Sequence, residues 1–443
     1  MSDELKIVKS IFIFLIERQL RNKNHFFYLL LLLIFYANTL LSQSLTFNDD
    51  IAPIIHQNCT PCHYEGGLAP FPLITYQDLS KRGTFIAKVT QSRYMPPWKA
   101  DHEFRSFLNE RILSDGDIKK ITEWVEGGMK EGKKKKIALE QINKDKPQPD
   151  LVLRMNKPYS LPSDNSEDFR FFAIPTNLPQ DTYIAAVEFV PDNKQRVHHS
   201  RVMIDSSNKI RGIDGISEAD PAVYKFQTVP LADEFMYGWV PGNLPIFYPK
   251  GTGKKLPKNA DLILNMHYAP SPLKQTDQSV VKFYFAKTKV NREVKTFILK
   301  ETAISNQPFL LKANTKPTFY MTSGVIDKEM SLISIQPHAH VLGKSFKAFA
   351  ITPDGDAINL IKIDNWDFNW QTTYQFKSLL RIPKGSIIMV EGVYDNTAGN
   401  PENPNRPPKD VGYGWRTVDE MMNLIIYYLD YQEGDEKISM EQK

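Results

Sequence analysis

From about residue 150 to residue 435 the chain is cut into short apolar or alternating segments, each closed by Pro, Asn, Asp or Gly. "DTYIAAVEFV", "ADLILNMHYA", "VVKFYFAKT", "EMSLISIQPHAH" and "GSIIMVEGVYD" are of this kind. They are β-branched or aromatic and too short for helices that bury a long stripe, so they read as strands. The 26 phenylalanines and 19 tyrosines agree with such an architecture. Nearly 300 residues of this pattern suit two antiparallel sandwiches in tandem, of jelly-roll type, over 151–290 and 291–435, with a polar tail at 436–443. No cysteine follows residue 62, so packing alone must hold both sandwiches.

The preceding stretch is different. The only two cysteines, Cys59 and Cys62, lie in "NCTPCHYEGG". C-x-x-C-H is the attachment signature of a c-type haem: two thiols add across the vinyl groups, and His63 becomes the proximal iron ligand. "FNDDIAPIIHQNCTPCH" predicts a helix running into that turn. "LSDGDIKKITEWVEGGMK" predicts a closing helix, capped by Ser114, with Asp115 and Asp117 in its first turn and a stripe of Ile118, Ile121, Trp124 and Val125. Met95, on the proline-stiffened "SRYMPPWKA", is the candidate second axial ligand, with His56 and His102 as alternatives. Residues 44–129 thus resemble a small all-α cytochrome c domain, making the chain a multidomain α and β protein with one covalently attached c-type haem.

The N-terminal 43 residues carry a basic region and then "FFYLLLLLIFYANTLL", short for a membrane span of about 20 residues. A signal peptide is the expectation, an uncleaved N-terminal membrane anchor the alternative, and the remainder is expected to be periplasmic or otherwise exported. The net charge of +4 is mild, and "KEGKKKK" lies in a basic linker over 130–150. With no nucleic-acid-binding module beside it, that tract reads as a solvated linker.

Nine histidines occur, and the five beyond the first 150 residues fall only in "VHHS" (His198, His199), "NMHYAP" (His267) and "PHAH" (His338, His340). Clustering of this kind is what metal ligation produces. The i, i+2 spacing puts His338 and His340 on one face of a strand, whereas adjacent His198 and His199 need a bulge or twist to converge. Imidazole-dominated sites favour copper or zinc. Met421 or Met422 in "TVDEMMNLIIYYLDY" offers a soft thioether to the second pair, which tips the choice to copper.

Taken in order, "VHHS", "LNMHY", "PHAHVLGK", "VYDNT" and "DEMMNL" resemble the copper type II, ascorbate-dependent monooxygenases, which include peptidylglycine alpha-hydroxylating monooxygenase and dopamine beta-monooxygenase. The similarity covers roughly residues 150 to 432. It implies two copper ions: one on His198, His199 and His267 that stores and relays an electron, and one on His338, His340 and Met421 where O2 is used. Two further positions depart from the pattern of the peptide-hydroxylating members. Gln336 stands where an arginine binds the substrate carboxylate, and Ile425 stands where a tyrosine assists, while Asn423 matches the family asparagine. An unpaired carboxylate would be desolvated there for little return, so a small neutral or amine-bearing substrate is expected.

Hydroxylating a C–H bond with O2 needs two electrons from a reductant, and two one-electron metals can hold them. An external donor, an ascorbate-like reductant or a redox protein, would supply them, and a tethered haem raises the effective concentration of the electron source. The rival expectations are a haem and copper electron-transfer protein and a copper-binding sensor without turnover. "DNWDFNWQTTYQF" reads as an aromatic strand between sheets, and "DNTAGNPENPNRPPKD" as a turn-rich loop before the Met421 strand.

Overall fold

The computed structural model describes residues 45–65, 67, 69–134, 147–224, 234–243 and 245–441. The segment read as a signal peptide, and most of the basic linker, lie outside them. The chain divides into two compact units. Among the described residues, the first takes in 45–63, 71–94 and 113–134, and the second takes in those of 64–70, 95–112 and 147–441.

The first unit is helical. Thr46 caps a turn at Phe47–Ile51 that runs on into Ala52–Asn58. Gly83–Gln91 follows, and Asp115–Glu126 closes the unit, with Ser114 accepting from the Asp117 amide. Phe47, Ile51, Ile55, Leu79, Ile86, Ile121 and Trp124 form one core, with Ile118 and Val125 at its edge. The stripe read from the sequence is therefore the packed one.

The second unit holds two pairs of sheets. In the first pair, one sheet has the order Leu151–Arg154, Val280–Phe285, Thr182–Val190, Thr252–Leu256, Arg292–Glu293. Its partner has the order Ile216–Ser217, Asp168–Pro175, Asp261–Tyr268, Val197–Asp205, Glu234–Trp239. Ile184, Val187 and Phe283 of one sheet share a core with Phe172, Val202 and Leu264 of the other. In the second pair, Lys295–Leu299, Met422–Asp430, Met330–Ala339 and Tyr374–Ile382 face a sheet of Thr318–Val325, Ile387–Tyr394, Gly343–Ile351 and Ala357–Ile363. Leu332, Ile335, Leu424 and Ile426 meet Met321, Phe346, Ala348 and Val390 in its core. Each fully buried Leu, Ile or Phe contributes about 1.5–3 kcal/mol, and with no disulfide this burial carries the fold.

Two segments extend the second sandwich. Met95–Ile112, expected within the helical domain, belongs to the β unit. There the Asp101 amide donates to Lys362 O (2.8 Å), the Leu108 amide to Gln375 O (2.8 Å), and Phe107, 1% exposed, enters the core. The chain end, expected as a polar tail, also packs: Ser439 bridges to Ser378, and Met440 is buried.

Candidate metal centres

The first histidine set is built by strand pairing. His199 stands opposite His267, and the register slips between Val197 and His199, so His198 is the extra residue of a bulge. That extra residue turns the His198 ring to the same side as its neighbour. His198 Nδ1 and His267 Nδ1 lie 3.2 and 3.3 Å from His199 Nδ1. Nitrogens each about 2.0–2.1 Å from one ion stand roughly 3.3–3.6 Å apart, so both distances suit a shared metal, and the ligand atoms of all three lie within 4.8 Å of one another. Phe169 stacks on the His267 ring at 4.1 Å and 8°, fixing its plane. His267 Nε2 has no hydrogen-bond partner, but Glu167 Oε1 lies 3.2 Å from it.

The second set uses the pleat. Gln336 and His338 alternate with core residues Ile335 and Ala339, and His340 follows just past the strand end. The neighbouring strand, paired as His338 with Asn423 and Ala339 with Met422, alternates likewise. Met421 and Asn423 line the cavity, while Met422 and Leu424 enter the core. The sequence left the two methionines open, and the pleat separates them. Asn423 Nδ2 lies 3.8 Å from Met421 Sδ and orients it. His338 Nδ1 donates to Gln371 Oε1 (2.5 Å) and His340 Nδ1 to Asp419 O (3.0 Å), leaving each Nε2 as the nitrogen for a metal.

Both sets open on one cavity of about 440 Å³, lined by His199 on one side and by His338, His340 and Met421 on the other. Phe368 touches a ring of each set. Its ring stacks on His198 at 4.9 Å and stands edge-on to His340 at 5.7 Å. The segment carrying it, expected as a strand, is a loop over residues 364–373, because Lys99 pairs with Asp367 and the Thr373 amide donates to Asn243, drawing it off the sheet.

Burial shifts the imidazoles strongly. Desolvation, with neighbouring histidines adding, takes His198 down to about 4, His338 to about 3 and His340 to about 4. It takes His199 well below its ordinary value. These four rings are neutral near pH 7, the form that ligates a metal. The donor sets therefore fit copper: three imidazole nitrogens in one, two imidazoles and a thioether in the other.

Residues that the sequence reading missed hold these ligands. Glu420 is wholly buried and accepts the amides of His340, Leu342 (3.1 Å) and Met421 (2.8 Å). Desolvation raises its carboxyl to about 8 against the pull of those amides. Its place beside Met421 was the one local signal. Gln371 and Glu167 gave none, since they meet their histidines only through the fold. Gln336 also changes meaning. Its amide donates to Gln371 O (3.3 Å) and packs on the Cα of Gly238, where a Cβ would come within 2.7 Å of Oε1.

In the helical unit, Cys59 and Cys62 are free thiols, and burial, with Cys62 beside it, pushes Cys59 up to about 12. The amides of Cys62 and His63 both bond to Cys59 O, and His63 Nδ1 meets Phe71 O at 3.0 Å, so Nε2 is the nitrogen that would be left for a ligand. The donor set fits a c-type haem. His56 bonds instead to Ile74 O (2.9 Å) and His102 to Glu110 (2.6 Å), while Met95 opens the segment that belongs to the β unit.

Residues 294–442 match the family model of the copper type II ascorbate-dependent monooxygenase C-terminal domain. The matched monooxygenase domain contains His338, His340 and Met421, and it supports a copper-dependent, monooxygenase-like oxidoreductase function. The family's name brings with it O2, a substrate and an ascorbate-like reductant. No curated protein matches the chain. Among solved structures, the major capsid protein P2 of bacteriophage PM2 has a TM-score of 0.27 at 9% identity, over 64% of this chain and 98% of that one. PNGF-II has a TM-score of 0.25 at 9% identity, over 62% and 64%. Likenesses this weak say nothing about fold or function. Among the described residues no helix is long and apolar enough to cross a membrane.

Proposed function

We propose that this protein is an exported monooxygenase that hydroxylates a small organic molecule with O2, using two copper ions. Electrons come from an ascorbate-like reductant or a redox protein by way of a covalent c-type haem. The observation that carries the reading is that a three-imidazole set, through His199, and a two-imidazole, one-thioether set line the same cavity. Copper bound there supplies one-electron redox chemistry and O2 activation.

The chain's own residues prepare the rest. Gln371 Oε1 and Asp419 O fix the His338 and His340 rings, and Asn423 orients the Met421 sulfur. Trp239, Val240 and Ile425 line the cavity with apolar surface that restricts water. The overall conversion is C–H plus O2, two electrons and two protons to C–OH plus water. Gln336 and Ile425 bring no charge to the wall, and its cations, Arg201 and Lys300, are accompanied there by Glu218, Glu234 and Glu301, which favours a neutral or amine-bearing substrate over a carboxylate.

Protein made in a cytochrome-maturing host tests the reading. Two coppers and one covalent haem per chain are expected, with oxygen consumption that requires both substrate and reductant. Reduced haem should be reoxidised by O2 only in the copper-loaded protein. Metal binding without substrate-dependent oxygen uptake would leave an electron-transfer or copper-sensing protein instead.

A further inference from the structure

Every ring nitrogen that points away from a metal set has a fixed partner in the second set: Gln371 for His338 and Asp419 O for His340. In the first set His267 is the deepest ring, 2% exposed and stacked flat on Phe169. Its Nδ1 converges on His199, so Nε2 is the nitrogen left to be held. Nε2 is buried without a hydrogen bond, and the atom facing it is Glu167 Oε1 at 3.2 Å. The same oxygen accepts from Thr417 Oγ1 at 2.6 Å. Thr417 belongs to the second sandwich, four residues before Met421.

We propose that Glu167 is a positioning residue of the first set. Its carboxylate takes the Nε2–H of His267 and so directs Nδ1 at the metal, and Thr417 holds that carboxylate from the segment leading to Met421. The inference rests on the copper reading of His198, His199 and His267. A carboxylate behind a metal-bound imidazole fixes its tautomer and increases its basicity, which favours the more highly charged ion. The Glu167 side chain is 31% exposed, so solvent moderates the effect toward the lower end of the range for such partners. Because Thr417 reaches Glu167 from the other sandwich, the first set is also sensitive to how the Met421 segment is placed.

The test uses the full chain and copper(II) alone as probe, with affinity read by chelator competition, the Cu(II) electron paramagnetic resonance spectrum, and the reduction potential. Glu167→Gln keeps the shape and removes the charge. It should weaken Cu(II) at the three-imidazole set about tenfold, alter its nitrogen hyperfine pattern and raise its potential. Thr417→Val should move the same readouts in the same direction by less, and Glu167→Asp should restore part of the loss. If Glu167→Gln binds Cu(II) with wild-type affinity, spectrum and potential while His267→Ala loses the ion, the positioning role is wrong and the copper reading stands. If His267→Ala binds Cu(II) as the wild type does, the copper reading of this set fails, and the inference with it.

Discussion

Met421 and Met422 are adjacent, buried and equally soft, yet the pleat sends one sulfur into the cavity and the other into the core. Their alanine variants should therefore fail in different ways. Met421→Ala should abolish substrate-dependent oxygen uptake and leave the denaturation midpoint nearly unchanged. Met422→Ala, 0% exposed in the core, should cost about 2–5 kcal/mol in urea unfolding. Unchanged oxygen uptake in Met421→Ala would remove it from the O2 site. Glu420 is a third case, since its carboxylate is the sole acceptor shown for three buried amides around both His340 and Met421. Glu420→Ala orphans all three, at about 1–3 kcal/mol each. A loss on the order of 4 kcal/mol is expected, with Glu420→Gln keeping part of it. A loss below 1 kcal/mol would mean that water replaces the carboxylate.

At the scale of elements, the site depends on irregularities in otherwise regular strands. The bulge at His198 was legible because two adjacent histidines cannot share a face of a regular strand. The loop over 364–373 was not: its aromatic composition matches a strand, and what withdraws it is a set of partners distant in sequence, Lys99 and Asn243. Close contact between the sandwiches depends on Gly238, whose missing Cβ admits the Gln336 amide. Gly238→Ala should cost about 1–3 kcal/mol, and Gln336→Ala in the same chain should return most of it. Additive losses in that double variant would place the strain elsewhere. Likewise Phe107, from a segment expected in the helical domain, should cost about 3–5 kcal/mol when cut to alanine. The transition that reports this loss should be that of the β unit, since that is where Phe107 packs.

For the whole molecule, the buried histidines set a pH dependence. In the metal-free protein His198, His338 and His340 have folded values near 4, 3 and 4, and His199 is also strongly lowered, against about 6.5 unfolded. Below pH 6.5 the unfolded chain binds protons that the native chain refuses, so stability falls as pH drops toward 4. Each such group contributes up to about 1.4 kcal/mol per pH unit. Glu420, raised to about 8, runs the other way, losing stability as pH rises from about 4.5 to 8. Four strongly lowered imidazoles outweigh the raised Glu420 and the smaller upward shifts of Glu218, Asp277 and Glu301, which predicts net acid destabilisation between pH 6.5 and 4, measurable as a falling urea midpoint. Copper should delay that loss, because it stabilises the folded state by mass action and holds the rings unprotonated. A flat profile over this range would contradict burial of the rings.

The sequence by itself determined the local features. Strand periodicity, the C-x-x-C-H turn, the capped helix at Asp115–Glu126 and the clustering of five histidines into three motifs are all set by neighbours a few residues apart. The ordered motifs also carried a family resemblance, which the family model supports for the three that lie within residues 294–442. Only the tertiary structure decided what depends on residues far apart in the chain. It assigned Met95–Ile112 to the β unit and Met421 rather than Met422 to the cavity. It also placed Glu167, Gln371 and Glu420 behind the ligands and turned Gln336 toward Gly238. The reason is physical: a strand's period of two fixes which residues share a face, while the partner of that face depends on which strands pair and which sheets stack.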